Sequence, residues 1–417
     1  MSDITISPGS ISGEVTVPPS KSDVHRAIIC AALAKGISRI EPVAFSQDIL
    51  ATIDCVRALG ADVTVSGDSI TVDGSSTFDN KHAQLDCRES GSTVRFFIPV
   101  AAAGGVDTIF TGKGRLPQRP LGVYTELLPK HGIECKTQGG LPFEISGRFC
   151  PGVFEVPGNI SSQFITGLLF ALPLLDADSE IRLTSPLESK GYIDMTVSVQ
   201  KRFGVEIEET ESGYYVKGNQ RYNPCEYRTE GDWSQAAFFL VGAALTGCVT
   251  VKGLKSDSYQ GDKEIADILL RFGAEITVED DSVRCAKSTL NGIEIDASQI
   301  PDLVPILSVC GAFANGETRI YNAARVRLKE SDRLAAITSD LSACGADISE
   351  TSDSLIINGK PMIDGGYADG CNDHRIVMSM AIAALLSKNG ITISDKESIT
   401  KSYDNFFDDL SQLLAMV

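Results

Sequence analysis

VRALGADVTV, residues 56–65, reads as the end of an amphipathic helix, then a glycine, then a strand of alternating apolar residues. The same pattern returns as LLPKHGIECK from Leu127, VQKRFGVEIE from Val199, LLRFGAEITV from Leu269 and LSACGADISE from Leu341. The glycines are Gly60, Gly132, Gly204, Gly273 and Gly345, with spacings of 72, 72, 69 and 72 residues. Each stands where a helix C-terminus needs a left-handed residue. After the strand come a turn and a second short strand, as in SGDSITVDG (66–74), ETESGYYVKG (209–218) and ETSDSLIING (350–359). A further apolar helix usually follows, such as VRFFIPVAAAGG (94–105) or DLVPILSVCGAFANG (302–316).

The repeat is therefore a mixed β-α-β-α-β-β module. A sixth copy ends at the C-terminus, where helix-like DNFFDDLSQLLAMV stops without its strands. The period is too long for a solenoid rod, so the copies should gather as two globular halves of three. A length of 417 residues also suggests two domains.

Composition narrows the function classes. Apolar residues make up 43% and charged residues 22%, the balance of a folded soluble protein. No apolar stretch reaches a membrane span and the N-terminus reads without a secretory signal, so a cytoplasmic location is expected. The 11 cysteines include no C-x-x-C and read as reduced thiols; the four histidines show no zinc spacing, so no metal is expected. A formal net charge of −18 disfavours nucleic acid as a partner. It also repels small anions, which would need a local concentration of Lys and Arg.

Such concentrations recur at the starts of the apolar helices. VPPSKSDVHRAIICAALAKG (17–36) places Lys21, Ser22 and Arg26 at a helix start, where backbone N–H groups favour phosphate; simple N-capping is the competing reading. DCRESGSTVRFFIPVAAAG (86–104) has Gly91 where a ligand could approach the backbone and Arg95 one turn in, but no Walker pattern. GKGRLPQRP (112–120) reads as a loop, with Arg115 and Arg119 able to clamp an anion or simply to sit on the surface. Ser161, Ser162 and Gln163 precede an apolar helix and can bond a neutral polar group. Ser189, Lys190 and Tyr192 open another helix. Asp302 is a lone acid before a buried-looking helix, a cap or a general base. His374 and Arg375 stand at a further helix mouth, and Lys401 before the last helix. RVRLKESDRL (325–334) is a puzzle: if helical, Arg325, Lys329 and Arg333 would stack three cations on one face.

Taken in order, S-K-S-x-x-x-R, S-G-S-T-x-R-F, R-L-x-x-R-P, S-S-Q-F, S-K-x-Y-I-D, Q-G-D (260–262), I-P-D, L-K-E-S-D-R-L, N-D-H-R and K-S-Y run from residue 20 to residue 403. Each motif is weak; ten in order are specific. The chain resembles the enolpyruvyl transferases that act on shikimate 3-phosphate. The resemblance implies a two-domain inside-out α/β barrel of six β-α-β-α-β-β units. One domain would be residues 1–20 plus 229–417 and the other 21–228, with the active site in the cleft between them. It implies transfer of the enolpyruvyl group of phosphoenolpyruvate to the 5-hydroxyl of shikimate 3-phosphate. No cofactor is implied, no membrane or nucleic-acid partner is expected, and a monomer is expected.

By the same resemblance, Lys21 contacts both ligands. Ser22, Arg26, Ser161, Ser162, Ser189 and Lys329 hold shikimate 3-phosphate, and Gln163 lies between the two. Gly91, Arg115, Arg333, Arg375 and Lys401 clamp phosphoenolpyruvate, with His374 beside them. Asp302 accepts the hydroxyl proton and Glu330 protonates the methylene carbon; Lys21 and Lys329 are further candidates for proton transfer. The chain departs from the family pattern at Glu89, Phe96, Arg325 and Arg327. The competing readings are the enolpyruvyl transferases acting on UDP-N-acetylglucosamine, whose loop cysteine is missing from residues 112–120, and a non-catalytic anion-binding scaffold.

Overall fold

The structure, a computed structural model, describes residues 2–415. The chain divides into two compact units. One is continuous, Pro19–Thr229; the other is split, running to Pro18 and resuming at Glu230. Each unit has its own apolar core.

The five repeat glycines all adopt positive φ, between 81° and 107°. At Gly60 a Cβ would lie 2.5 Å from the Ser76 carbonyl oxygen, and at Gly132 2.4 Å from that of Arg148. The helix is thus stopped by a residue that only glycine fills without strain, and the following strand is released at a fixed angle. Strands such as Ile37–Glu41 and Asp107–Thr111 alternate exposed and buried side chains, the mark of a sheet with one face in the core.

Each complete copy forms a four-stranded sheet. In the second, His82–Asp86 runs parallel to Asp107–Thr111, which pairs antiparallel with Phe143–Gly147, and Ile133–Lys136 lies at the edge. Three sheets are completed by strands from distant sequence. Glu226–Arg228 closes the first copy of the continuous unit against Ile37–Glu41, and Ser12–Thr16 pairs with Cys248–Lys252 in the split unit. The sixth copy does not go without its hairpin partner entirely. Ile4–Ile6 pairs antiparallel with Ile391–Ile393, which runs parallel to Gly366–Ala368. The N-terminal strand occupies the place that a local hairpin fills elsewhere.

Every copy has one inner and one outer helix. The inner helices Trp233–Thr246 and Val304–Ala312 are buried at every residue. Outer helices such as Ile265–Phe272 bury only one stripe. An inner helix meets water mainly at its ends, so polar chemistry collects at its N-terminal mouth. Among the described residues no helix is long and apolar enough to cross a membrane.

Candidate active site

In the continuous unit, three inner-helix mouths carry the polar residues. Ser20, Ser90 and Ser161 cap the helices Lys21–Leu33, Gly91–Ala103 and Ser162–Ala171, each accepting a backbone N–H. Two of the mouths are tied together by a buried hydroxyl chain. His25 Nδ1 lies 2.7 Å from Thr52 Oγ1, Thr52 2.9 Å from Thr93 Oγ1, and Thr93 donates to Ser90 Oγ at 2.7 Å. Burial, with Lys21 and Arg26 nearby, holds the His25 imidazole well below its ordinary pKa, so it serves this chain as a neutral ring.

Lys21 Nζ pairs with Asp48 at 2.8 Å. Arg26 is turned inward, donating to Thr196 Oγ1 and to the Ser22 and Tyr192 carbonyls at 2.7–2.8 Å, with its guanidinium over the Phe96 ring. Gln163 bridges the second and third mouths: its Oε1 accepts from Arg95 at 2.7 Å and its Nε2 donates to Ser92 at 2.9 Å. Ser189 is buried with φ 56°, a left-handed conformation costly for serine, and stands directly before the helix Lys190–Arg202. Lys190 is paired with Asp194 and Glu209.

The basic loop separates its two arginines. Arg115 is exposed, whereas Arg119 is 8% exposed and its guanidinium lies against Gly91. A Cβ at position 91 would meet Arg119 Nη1 at 2.6 Å. Glycine is needed there because a planar cation packs on the backbone at a helix N-terminus.

In the split unit, charge is denser. RVRLKESDRL is not one helix. Ala324–Leu328 is a 3-10 turn, Lys329 is extended, and the α-helix starts only at Arg333, capped by Asp332. The feared stack of cations never forms. Arg327 turns to Asp332 and Glu350, Arg325 donates to the Ser298 carbonyl, and Lys329 and Arg333 converge on Asp302.

Asp302 Oδ1 accepts from Lys329 Nζ at 3.0 Å and Arg333 Nη1 at 2.9 Å; Oδ2 accepts from Arg375 at 3.4 Å. Burial pushes this carboxyl up, but Lys329, Arg375 and Arg333 outweigh it and hold it well below the usual carboxylate range. Burial in turn pushes the Lys329 ammonium down, against the pull of Asp302. Arg333 is 1% exposed and meets three carboxylates, Asp302, Glu330 at 2.8 Å and Asp373 at 2.8 Å. Asp373 is fully buried, caps the helix His374–Ala384, and also accepts from Ser331 Oγ. Arg375 donates to Ser234 Oγ at 2.9 Å, and Lys401 to the Asn372 carbonyl at 2.7 Å. His374 is buried, its Nδ1 3.8 Å from Asp373.

Sequence reasoning thus named Asp302, Lys329, Glu330, Arg333, Arg375 and Lys401, and the fold gathers the first five into one network. It offered Arg115 and Arg119 together and missed the roles of Asp373 and Ser234. Arg119 shared its loop with Arg115, and only burial distinguishes them. Asp373 was seen inside N-D-H-R without a role, although a cap position just before a helical Arg is a readable signal. Ser234 had no signal beyond its place at a helix start.

Each unit is built of three α/β copies, and in the split unit the inner-helix mouths gather buried cations around one carboxylate. Solved enzymes similar to this chain share that architecture. An EPSP synthase from Acinetobacter baumannii superposes with TM-score 0.84 at 26% identity, covering 99% of this chain and 98% of its own. The enolpyruvyl transferase NikO from Streptomyces tendae shares the fold with TM-score 0.79 at 17% identity, covering 99% and 96%. The sequence model of the EPSP synthase (3-phosphoshikimate 1-carboxyvinyltransferase) family matches residues 6–410. Relatives called 3-phosphoshikimate 1-carboxyvinyltransferase include proteins of Clostridium novyi, 46% identical over 99% of this chain and 98% of theirs, and Clostridioides difficile, 44% identical over the same shares. The chain belongs to the EPSP synthase family, and its fold is the inside-out α/β barrel of six β-α-β-α-β-β copies.

Proposed function

We propose that this chain transfers the enolpyruvyl group of phosphoenolpyruvate to the 5-hydroxyl of shikimate 3-phosphate and releases phosphate. It would act as a monomer in the cytoplasm. Family membership supports the reaction class. The observation that carries the chemistry is one carboxylate, Asp302, within hydrogen-bonding reach of Lys329, Arg333 and Arg375. Both substrates are anions, so the cations that meet Asp302 are assigned as ligand-binding groups as well.

Lys21, Ser22, Arg26, Ser161, Ser162, Ser189 and Lys329 are assigned to shikimate 3-phosphate. Arg26 contributes by fixing the Lys21 helix to Tyr192. Gly91, Arg119, Arg333, Arg375 and Lys401 are assigned to phosphoenolpyruvate, with Arg119 taking the part expected of Arg115. Gln163 adjoins both sets.

A carboxylate tied to three cations is a weak base. Substrate phosphate and carboxylate groups compete for those cations, and each one drawn away raises the proton affinity of Asp302. Binding then prepares the base. Asp302 takes the 5-hydroxyl proton, the oxygen attacks C2 of phosphoenolpyruvate, and Glu330 gives C3 a proton, leaving a tetrahedral adduct. The Glu330 carboxylate takes a proton back from C3, the C–O bond to phosphate breaks, the double bond is restored, and the proton held by Asp302 passes to the departing phosphate. The guanidinium and ammonium groups stabilise phosphate and carboxylate through both steps.

The test is phosphate release by the purified chain. Release only with both substrates present is expected. Release with UDP-N-acetylglucosamine in place of shikimate 3-phosphate, or binding with no turnover, would overturn the assignment. A second expectation concerns Gly91. In Gly91→Ala the new methyl meets the far end of the Arg119 side chain, a flexible group, so the variant is expected to fold and the guanidinium to be displaced. Its KM for phosphoenolpyruvate should rise by about ten-fold or more while that for shikimate 3-phosphate moves about two-fold at most. Equal rises in both would separate Arg119 from the donor subsite.

A further inference from the structure

The turn Asp-Gly-Cys-Asn-Asp, residues 369–373, leads into the helix that presents Arg375. Two consecutive residues in it, Cys371 and Asn372, have φ of 51° and 50°. Neither is glycine, and a pair of left-handed residues persists only where the surroundings hold it. The holders are side chains. Asp340 Oδ1 accepts the Asp369 N–H at 3.0 Å, Asp369 Oδ1 accepts the Cys371 N–H at 3.0 Å, and Ser394 Oγ accepts the Gly370 N–H at 3.1 Å. The strongest geometry is at Asn372, whose N–H donates to Asp395 Oδ2 at 2.8 Å.

Asp395 does more than receive that bond. It stands directly before the 3-10 segment Lys396–Lys401, is itself left-handed at φ 57°, and accepts the Ser398 N–H on its carbonyl at 2.8 Å. At the other end of the segment, Lys401 Nζ returns to the Asn372 carbonyl at 2.7 Å. The N–H of Asn372 is held by the start of the segment and its C=O by the end. Asp395, the segment, Lys401 and Asn372 therefore form a closed clasp. It sets the Lys401 ammonium against the mouth of the helix that carries Asp373 and Arg375.

We infer that Asp395 is a positioning residue for the donor subsite, acting through Asn372 to fix Lys401. The inference rests on the assignment of Lys401 to phosphoenolpyruvate. In Asp395→Ala the Asn372 N–H loses its acceptor, the left-handed pair relaxes, and Lys401 loses its anchoring carbonyl. Asp395→Asn keeps an acceptor oxygen at the same reach and should recover most of the function.

The experiment compares the three proteins in two ways. In the two-substrate assay, Asp395→Ala should raise KM for phosphoenolpyruvate by about ten-fold and leave KM for shikimate 3-phosphate within about two-fold, with Asp395→Asn near the parent. Separately, Lys401 acetylation by N-acetoxysuccinimide, followed by peptide mass spectrometry, should quicken several-fold in Asp395→Ala and not in Asp395→Asn. Parallel rises in both KM values, or labelling of Lys401 at the parental rate, would overturn the inference. Failure of the parent chain to release phosphate would instead overturn the assigned reaction, and Lys401 labelling would still decide the clasp.

Discussion

Asp302→Asn is expected to lower kcat by about a thousand-fold without raising KM for either anionic substrate. The base is lost, and with it the negative charge that Lys329, Arg333 and Arg375 share. A site with one carboxylate fewer holds anions at least as firmly, so kcat and KM should move apart. The same charge change predicts a thermal signature. The variant buries cations with less compensation, so inorganic phosphate should raise its melting temperature by more than it raises that of the parent. Unchanged kcat, or a loss of affinity in place of a loss of turnover, would reduce Asp302 to an ion-pair partner.

Arg333→Met should produce the largest stability loss, about 3–5 kcal/mol. Arg333 is 1% exposed and its removal leaves Asp302, Glu330 and Asp373 facing an apolar side chain. Trp233, the single tryptophan, is buried in the same unit, so its fluorescence in urea reports the unfolding that matters. The pH dependence gives the sign. Burial pushes Asp373 up, but in the parent Arg333 and its other partners hold it below the ordinary carboxylate value. Its stabilisation is therefore fully present above about pH 4 and is lost as pH falls through the folded value. Without Arg333 burial wins, the folded carboxyl becomes the better proton binder, and the variant gains stability as pH falls from neutrality. The deficit relative to the parent should narrow between pH 7 and pH 5. A constant deficit across that range would mean that packing, not charge, is what Arg333 supplies.

Much of this was written locally. Helix, glycine and strand lie within ten residues of one another, so the 72-residue period, the mixed modules and the left-handed glycines could be read from the chain. The helix mouths could be read as well. An inner helix is mostly apolar along its body and carries its charged residues near its start, so Ser20–Lys21, Ser161–Gln163, Asp302 and Asp373–Arg375 stand out against long apolar runs.

What the tertiary structure decided depends on partners far away in sequence. Strand Ile4–Ile6 completes a sheet nearly 390 residues on, a pairing with no local signal. Arg115 and Arg119 are the same residue type four positions apart, and only the packing of Arg119 on Gly91 tells them apart. Arg325, Lys329 and Arg333 read as a repulsive stack under helical spacing. The backbone instead breaks at Lys329, Arg325 turns to the Ser298 carbonyl, and carboxylates from two other segments receive Lys329 and Arg333. Sequence spacing fixed where cations would gather, because burial and capping are local. Which of them meet a given carboxylate was settled by long-range packing, because a buried charge is stable only where distant chain segments bring it a partner.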